Sequence, residues 1–151
     1  MNYDNKPDEV WLNNGMGTFT KSGQALGAGN GQDVRLADFD ADGDLDIFVG
    51  GRVVPGRYPT PPKSHLLRND KGQFKDVTDE LAPGLSETGM ITGSIWSDAD
   101  GDGRTDLLVT CEWGPVRYFR NTGGALLEET KAAGLYNHWG WWNAIAASDI
   151  D

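Results

Sequence analysis

An all-β chain made of repeated four-stranded antiparallel units, the blades of a β-propeller segment, is predicted by three observations. Short strand-like runs alternate with turns through 151 residues that hold 21 glycines and 7 prolines, which leaves little room for long helices. A tight Asn-x-x-Gly hairpin occurs three times, at Asn14, Asn69 and Asn121. A nine-residue acidic turn occurs twice, at 38–46 and 98–106, each time with an apolar run close behind.

The hairpins set the outer half of each unit. Residues 10–14 meet 17–20, residues 65–69 meet 72–77, and residues 117–121 meet 124–127. Aligning the three asparagines superimposes Gly17, Gly72 and Gly124, and also Phe19, Phe74 and Leu126.

The acidic turns set the inner half. Asp38, Asp40, Asp42 and Asp46 stand at relative positions 1, 3, 5 and 9, with Gly43 at position 6. Asp98, Asp100, Asp102 and Asp106 repeat the pattern around Gly103. Hard oxygen ligands on alternate residues of a tight loop suit Ca²⁺, whose shell takes 6–8 oxygens, better than Mg²⁺, which demands an octahedron and keeps its waters. Position 7, Asp44 in one turn and Arg104 in the other, is expected to contribute its main-chain carbonyl. An EF-hand is excluded at position 12, where Val49 replaces the bidentate glutamate and the chain continues as apolar strand rather than helix. Asp149 and Asp151 read as positions 1 and 3 of an incomplete third turn, too few for a stable shell on their own.

Interleaving the two repeats gives one unit: a strand over 33–37, the acidic turn, a strand over 46–49, then the hairpin. A period of this length means a solenoid, propeller or array, and four antiparallel strands per period mean a blade. The runs 47–49 and 107–109 are apolar at every position, as expected of sheets sandwiched between neighbours. The chain therefore reads as half a blade (9–22), a blade (32–80), a second blade (91–130) and the start of another (142–151), with a strand over 142–148. An open arc leaves apolar faces and a strand edge in water, so the chain is expected to belong to a longer propeller or to close a ring by self-association.

The turn 38–46 with Ala37 before it and 47–51 after it, the turn 98–106, and the strand ends 67–69 and 119–121 together resemble the FG-GAP/VCBS repeat family, the calcium-binding blades of integrin alpha-subunit propellers and many secreted bacterial proteins. The resemblance covers nearly the whole chain; the first repeat, with only its hairpin, and the truncated last repeat depart from it. It implies adhesion, protein interaction or carbohydrate binding at the cell surface or outside the cell. It also implies an alternative, a propeller fragment of a polysaccharide-degrading enzyme.

The remaining residues narrow the function. Net charge is −10, concentrated in the acidic turns, and the basic residues are scattered, which argues against nucleic acid as a partner. No apolar run approaches a membrane helix, and the N-terminal residues lack the apolar core of a signal peptide. The single cysteine, Cys111, sits in a strand-like run and is expected to be buried and inert. With two histidines, His65 and His138, and no phosphate loop, zinc spacing or Ser-His-Asp arrangement, the chain is expected not to be an enzyme.

Two stretches are candidates for ligand contact. The proline-rich loop 52–63 carries Arg57 and Tyr58, suited to anion contact and stacking. The aromatic run 136–143 carries His138, Trp139, Trp141 and Trp142. Its tryptophans are expected to pack between blades, with sugar or protein contact as the reading if they are exposed. Trp11, Trp96 and Trp113 are expected to pack as well.

Overall fold

The computed structural model describes residues 7–27 and 31–148. Strands β1 (Asp8–Asn13) and β2 (Phe19–Leu26) form a hairpin. Strands β3 (Gly31–Ala37), β4 (Asp46–Gly51), β5 (His65–Asp70) and β6 (Gln73–Asp76) form a four-stranded antiparallel sheet in sequential order. Strands β7 (Ile91–Ser97), β8 (Asp106–Cys111), β10 (Arg117–Asn121) and β11 (Leu126–Glu128) form a second sheet in the same order. Between them in sequence, β9 (Gly114–Pro115) leaves the second sheet and pairs with β12 (Trp139–Gly140). Among the described residues the blades make an open arc, with no ring closed.

The two full sheets share their register. Ala37 pairs with Asp46 and Ser97 with Asp106, so each acidic turn is closed by its ninth residue. Each first strand also carries a bulge at its start, after Gly31 and after Ile91. In a meander of this kind the first and third connections lie at one end of the sheet and the second at the other. The acidic turns and Asn-x-x-Gly hairpins therefore share one end, and loop 52–63 lies at the opposite end.

The core lies between the two sheets. Phe48 and Leu66 from the first meet Ile91, Leu107, Val109, Phe119 and Leu126 from the second, all fully buried. Close approach depends on Gly50, where a Cβ would fall 2.6 Å from Ile91 Cγ2. The inner strands are also tied by polar groups: Arg35 Nε donates to Ser94 O at 2.7 Å, and Ser94 Oγ donates to Asp33. The half blade docks through Gln24, whose Nε2 donates to Gly72 O (2.6 Å) while its Oε1 accepts from Phe74 N (2.9 Å). Cys111 is buried in the core cluster, and burial pushes its thiol up.

Two features differ from the sequence reading. A helical turn, α1 (Thr78–Leu81), follows β6; just ahead of it Asp76 Oδ1 accepts from Thr78 N at 3.0 Å. Residues 141–148 form no strand. The main chain at Ala144 and Ile145 passes 3.6 Å from the Cβ position of Gly93, over the face of β7 rather than beside its edge, so no hydrogen-bonded ladder forms there.

Candidate metal centres

Each acidic turn is wound around its first aspartate. Asp38 Oδ1 accepts from Asp42 N (3.1 Å) and Oδ2 from Gly43 N (3.0 Å). Asp98 Oδ1 accepts from Gly101 N (2.8 Å) and Asp102 N (3.1 Å), and its Oδ2 from Gly103 N (2.9 Å). Gly43 and Gly103 lie at φ +95° and +85°, the left-handed region that position 6 requires and that a side chain would strain. Asp42 Oδ1 and Asp102 Oδ1 each accept from the amide two residues on, at 2.9 Å.

The ninth residue has a different task. Asp46 is fully buried and accepts from Phe39 N (3.0 Å) and Asn69 N (2.8 Å), joining the turn to β5. Asp106, also fully buried, accepts from Ala99 N (3.0 Å), Asn121 N (2.7 Å) and the Tyr118 hydroxyl (3.0 Å). Burial, and then the bond to Asp106, push the Tyr118 phenol up. Asp46 is raised by burial, which outweighs its two backbone bonds.

Carboxylate oxygens converge in both turns. Those of Asp38, Asp40 and Asp42 lie within 4.8 Å of one another, as do those of Asp98, Asp100 and Asp106. Asp40 Oδ1 is buried with no hydrogen-bond partner; burial and then the charge of Asp42 raise the Asp40 carboxyl, against a lowering by the Asp42 amide. Three mutually repelling carboxylates in each turn, with a buried unpartnered oxygen on Asp40 in the first, fit a cation with oxygen preference. Of the expected side-chain ligands, Asp46 and Asp102 stand outside the two groups. Asp44 Oδ2 accepts from Lys71 N at 2.9 Å, and Asp102 is held by the Arg104 guanidinium, whose Nε also donates to Asn121 O at 3.0 Å. Asp149 and Asp151 lie outside the described residues.

Sequence reasoning missed the asparagines as parts of these sites. Asn69 and Asn121 present their main-chain amides to the ninth aspartate and their Nδ2 to the carbonyl before it, Leu45 O (3.1 Å) and Thr105 O (3.0 Å). Their recurrence in the repeat is the signal that pointed to them.

A family model described as an FG-GAP-like repeat matches residues 2–49 and 98–151. The chain belongs to the FG-GAP-like repeat family. Each matched stretch contains one acidic turn, so the family assignment and the two carboxylate groups coincide in sequence. The FG-GAP chain is also similar to Cartilage acidic protein 1 of Homo sapiens, 35% identical over 80 residues, 51% of this chain and 12% of that one. With Cartilage acidic protein 1 of Mus musculus it shares 28% identity over 109 residues, 70% of this chain and 16% of that one. The FG-GAP chain thus spans a small part of the length of these relatives.

At the opposite end of the FG-GAP blades three stretches bring an aromatic cluster together. Trp113 and Trp141 have ring centroids 4.6 Å apart at 48°, and Trp113 Nε1 donates to the Tyr58 hydroxyl at 3.4 Å. Beneath them Glu112, with a side chain 4% exposed, accepts from Arg52 and, at 3.4 Å, from Tyr58. Trp142 Nε1 donates to Gly114 O (3.0 Å), pinning the tryptophan run to β9.

The expected burial of these tryptophans is corrected by their exposure: Trp113, Trp139 and Trp141 are all more than half exposed. Trp113 sits at φ +61° in the tight turn between β8 and β9, which directs its side chain outward. Trp11 is likewise exposed, in the half blade, with Lys21 over its ring at 5.4 Å. Trp96 packs as expected, stacked on the buried Phe39 with centroids 6.5 Å apart. Arg57 and His138 are exposed, and His65 is paired with Asp76 at 2.7 Å.

Proposed function

We propose that this chain is a calcium-binding, non-catalytic propeller module that presents a surface for protein or carbohydrate contact in an extracellular setting. The observation that carries the reading is the convergence of three carboxylates in each turn, with Asp40 Oδ1 of the first turn buried and unpartnered. Asp38, Asp40 and Asp42 would hold one ion, and Asp98, Asp100 and Asp106 the other. A bound Ca²⁺ supplies positive charge to an oxygen cage and activates water far less than Zn²⁺ does, so its role here is structural. Asp46 and Asp106 join each turn to the third strand of its blade, and each ion therefore stabilises the blade as a whole.

Support for a contact surface comes from Tyr58, Trp113, Trp139 and Trp141, exposed together at the end of the blades away from the acidic turns. The named relatives, called after cartilage, support an extracellular setting. Calorimetric titration with CaCl₂ is expected to give two ions per chain, with Asp40→Asn and Asp100→Asn each removing one. A titration without heat refutes the calcium reading, and soluble product released from a polysaccharide refutes the non-catalytic one.

A further inference from the structure

We propose that Asn121 is a positioning residue for both acidic turns, so that ion binding in one blade is coupled to ion binding in the other. The inference deepens the calcium reading and rests on it. Asn121 is 1% exposed and stands at the end of β10 in the second blade. Its Nδ2 donates to Thr105 O at 3.0 Å within its own turn and to Phe39 O at 2.6 Å in the turn of the first blade, 82 residues away. Its main-chain amide donates to Asp106 Oδ1, and its Oδ1 accepts from Gly123 N (2.9 Å) and Gly124 N (3.1 Å). Both amide protons are committed, and the side chain has no freedom to rotate away.

Phe39 lies between Asp38 and Asp40, two residues of the first carboxylate group. Because the peptide is planar, fixing Phe39 O fixes the amide nitrogen of Asp40 and the position of its Cα, from which the side chain departs. The same peptide segment is held from its own blade, where Phe39 N donates to Asp46 Oδ2 at 3.0 Å. The hairpin of the second blade also lies against Asp40, whose Cβ is 3.6 Å from the Cβ position of Gly124. Asn69 supplies the contrast: its Nδ2 reaches Leu45 O and its Oδ1 accepts from Gly72 N, all within its own blade. An ion drawing in Asp98, Asp100 and Asp106 therefore sets Asn121 through Asp106, and Asn121 sets the turn that carries Asp40.

The test is calorimetric titration with CaCl₂ in two single-site backgrounds, Asp100→Asn to leave the first turn and Asp40→Asn to leave the second. Adding Asn121→Ser to the Asp100→Asn protein is expected to weaken the first-turn site about 5- to 10-fold, within the usual range of coupling between sites. Leu126→Val, a core truncation in the same hairpin, is expected to lower the melting temperature and leave first-turn affinity unchanged. Should Asn121→Ser fail to fold, the native protein still decides: its two ions are expected to bind about 5- to 10-fold more tightly together than the single-site constants predict. Independent binding, indifference of the first turn to Asn121→Ser, or an equal effect of Leu126→Val overturns the coupling and leaves the calcium reading standing. No calcium heat in the native protein overturns both.

Discussion

Asp106→Ala separates the structural task of the ninth aspartate from ion binding. The carboxylate is fully buried and accepts from Ala99 N, Asn121 N and the Tyr118 hydroxyl at 2.7–3.0 Å. Truncation strands three donors, each worth about 1–3 kcal/mol when left unmade, and relaxation recovers some of that, so about 3–5 kcal/mol is expected. Measured in chelator, where no ion contributes, this corresponds to a fall in melting temperature of about 10 °C for a chain of this length. Asp102→Ala is the control, since Asp102 is exposed and, among the described residues, its side chain bonds only Arg104, through the amide and the guanidinium. Its melting temperature in chelator is expected to stay within about 2 °C of the parent. Thermal melts followed by circular dichroism in chelator give both values. If Asp106→Ala melts within about 2 °C of the parent, Asp106 is not a structural strut.

Asp40→Asn removes one charge from a repelling group, so in chelator it is expected to leave stability unchanged or slightly raised, while abolishing the first-turn response to calcium; a large loss in chelator contradicts this. Burial acts to raise Asp76, but bonds from Thr78 and then His65 prevail and lower its carboxyl below 3.8, so it contributes stability above that value that is lost as pH falls through the lowered one. Asp76→Asn is therefore expected to flatten the stability profile in that acid window, read from urea midpoints across pH. Gln24→Ala removes both side-chain bonds that dock the half blade on the β5–β6 hairpin and is expected to speed amide exchange in β1 and β2 while leaving β4 and β8 protected.

Much of the fold was legible because its signals are local. The alternate carboxylates and position-6 glycines at 38–46 and 98–106, and the three Asn-x-x-Gly hairpins, each specify a turn within a dozen residues, and their order gives the strand order of a blade. What depends on contacts between repeats was not legible. The bond from Asn121 to Phe39 O spans two blades, and no local pattern distinguishes Asn121 from Asn69. The ninth aspartate reads as a ligand by spacing, whereas its burial and its bonds to β5 or β10 make it a strut as well. The tryptophans were expected inside on hydrophobicity alone, but the left-handed backbone at Trp113 turns the ring outward.

The calcium dependence of thermal stability tests the central claim most directly. At a free calcium concentration about a hundredfold above the dissociation constant, each site contributes about 2.7 kcal/mol to folding. Two sites are therefore expected to raise the melting temperature by about 10–20 °C over the value in chelator, with half of the rise lost in Asp40→Asn. Identical melting curves in chelator and in millimolar calcium would contradict the claim that these turns hold ions and thereby secure the blades.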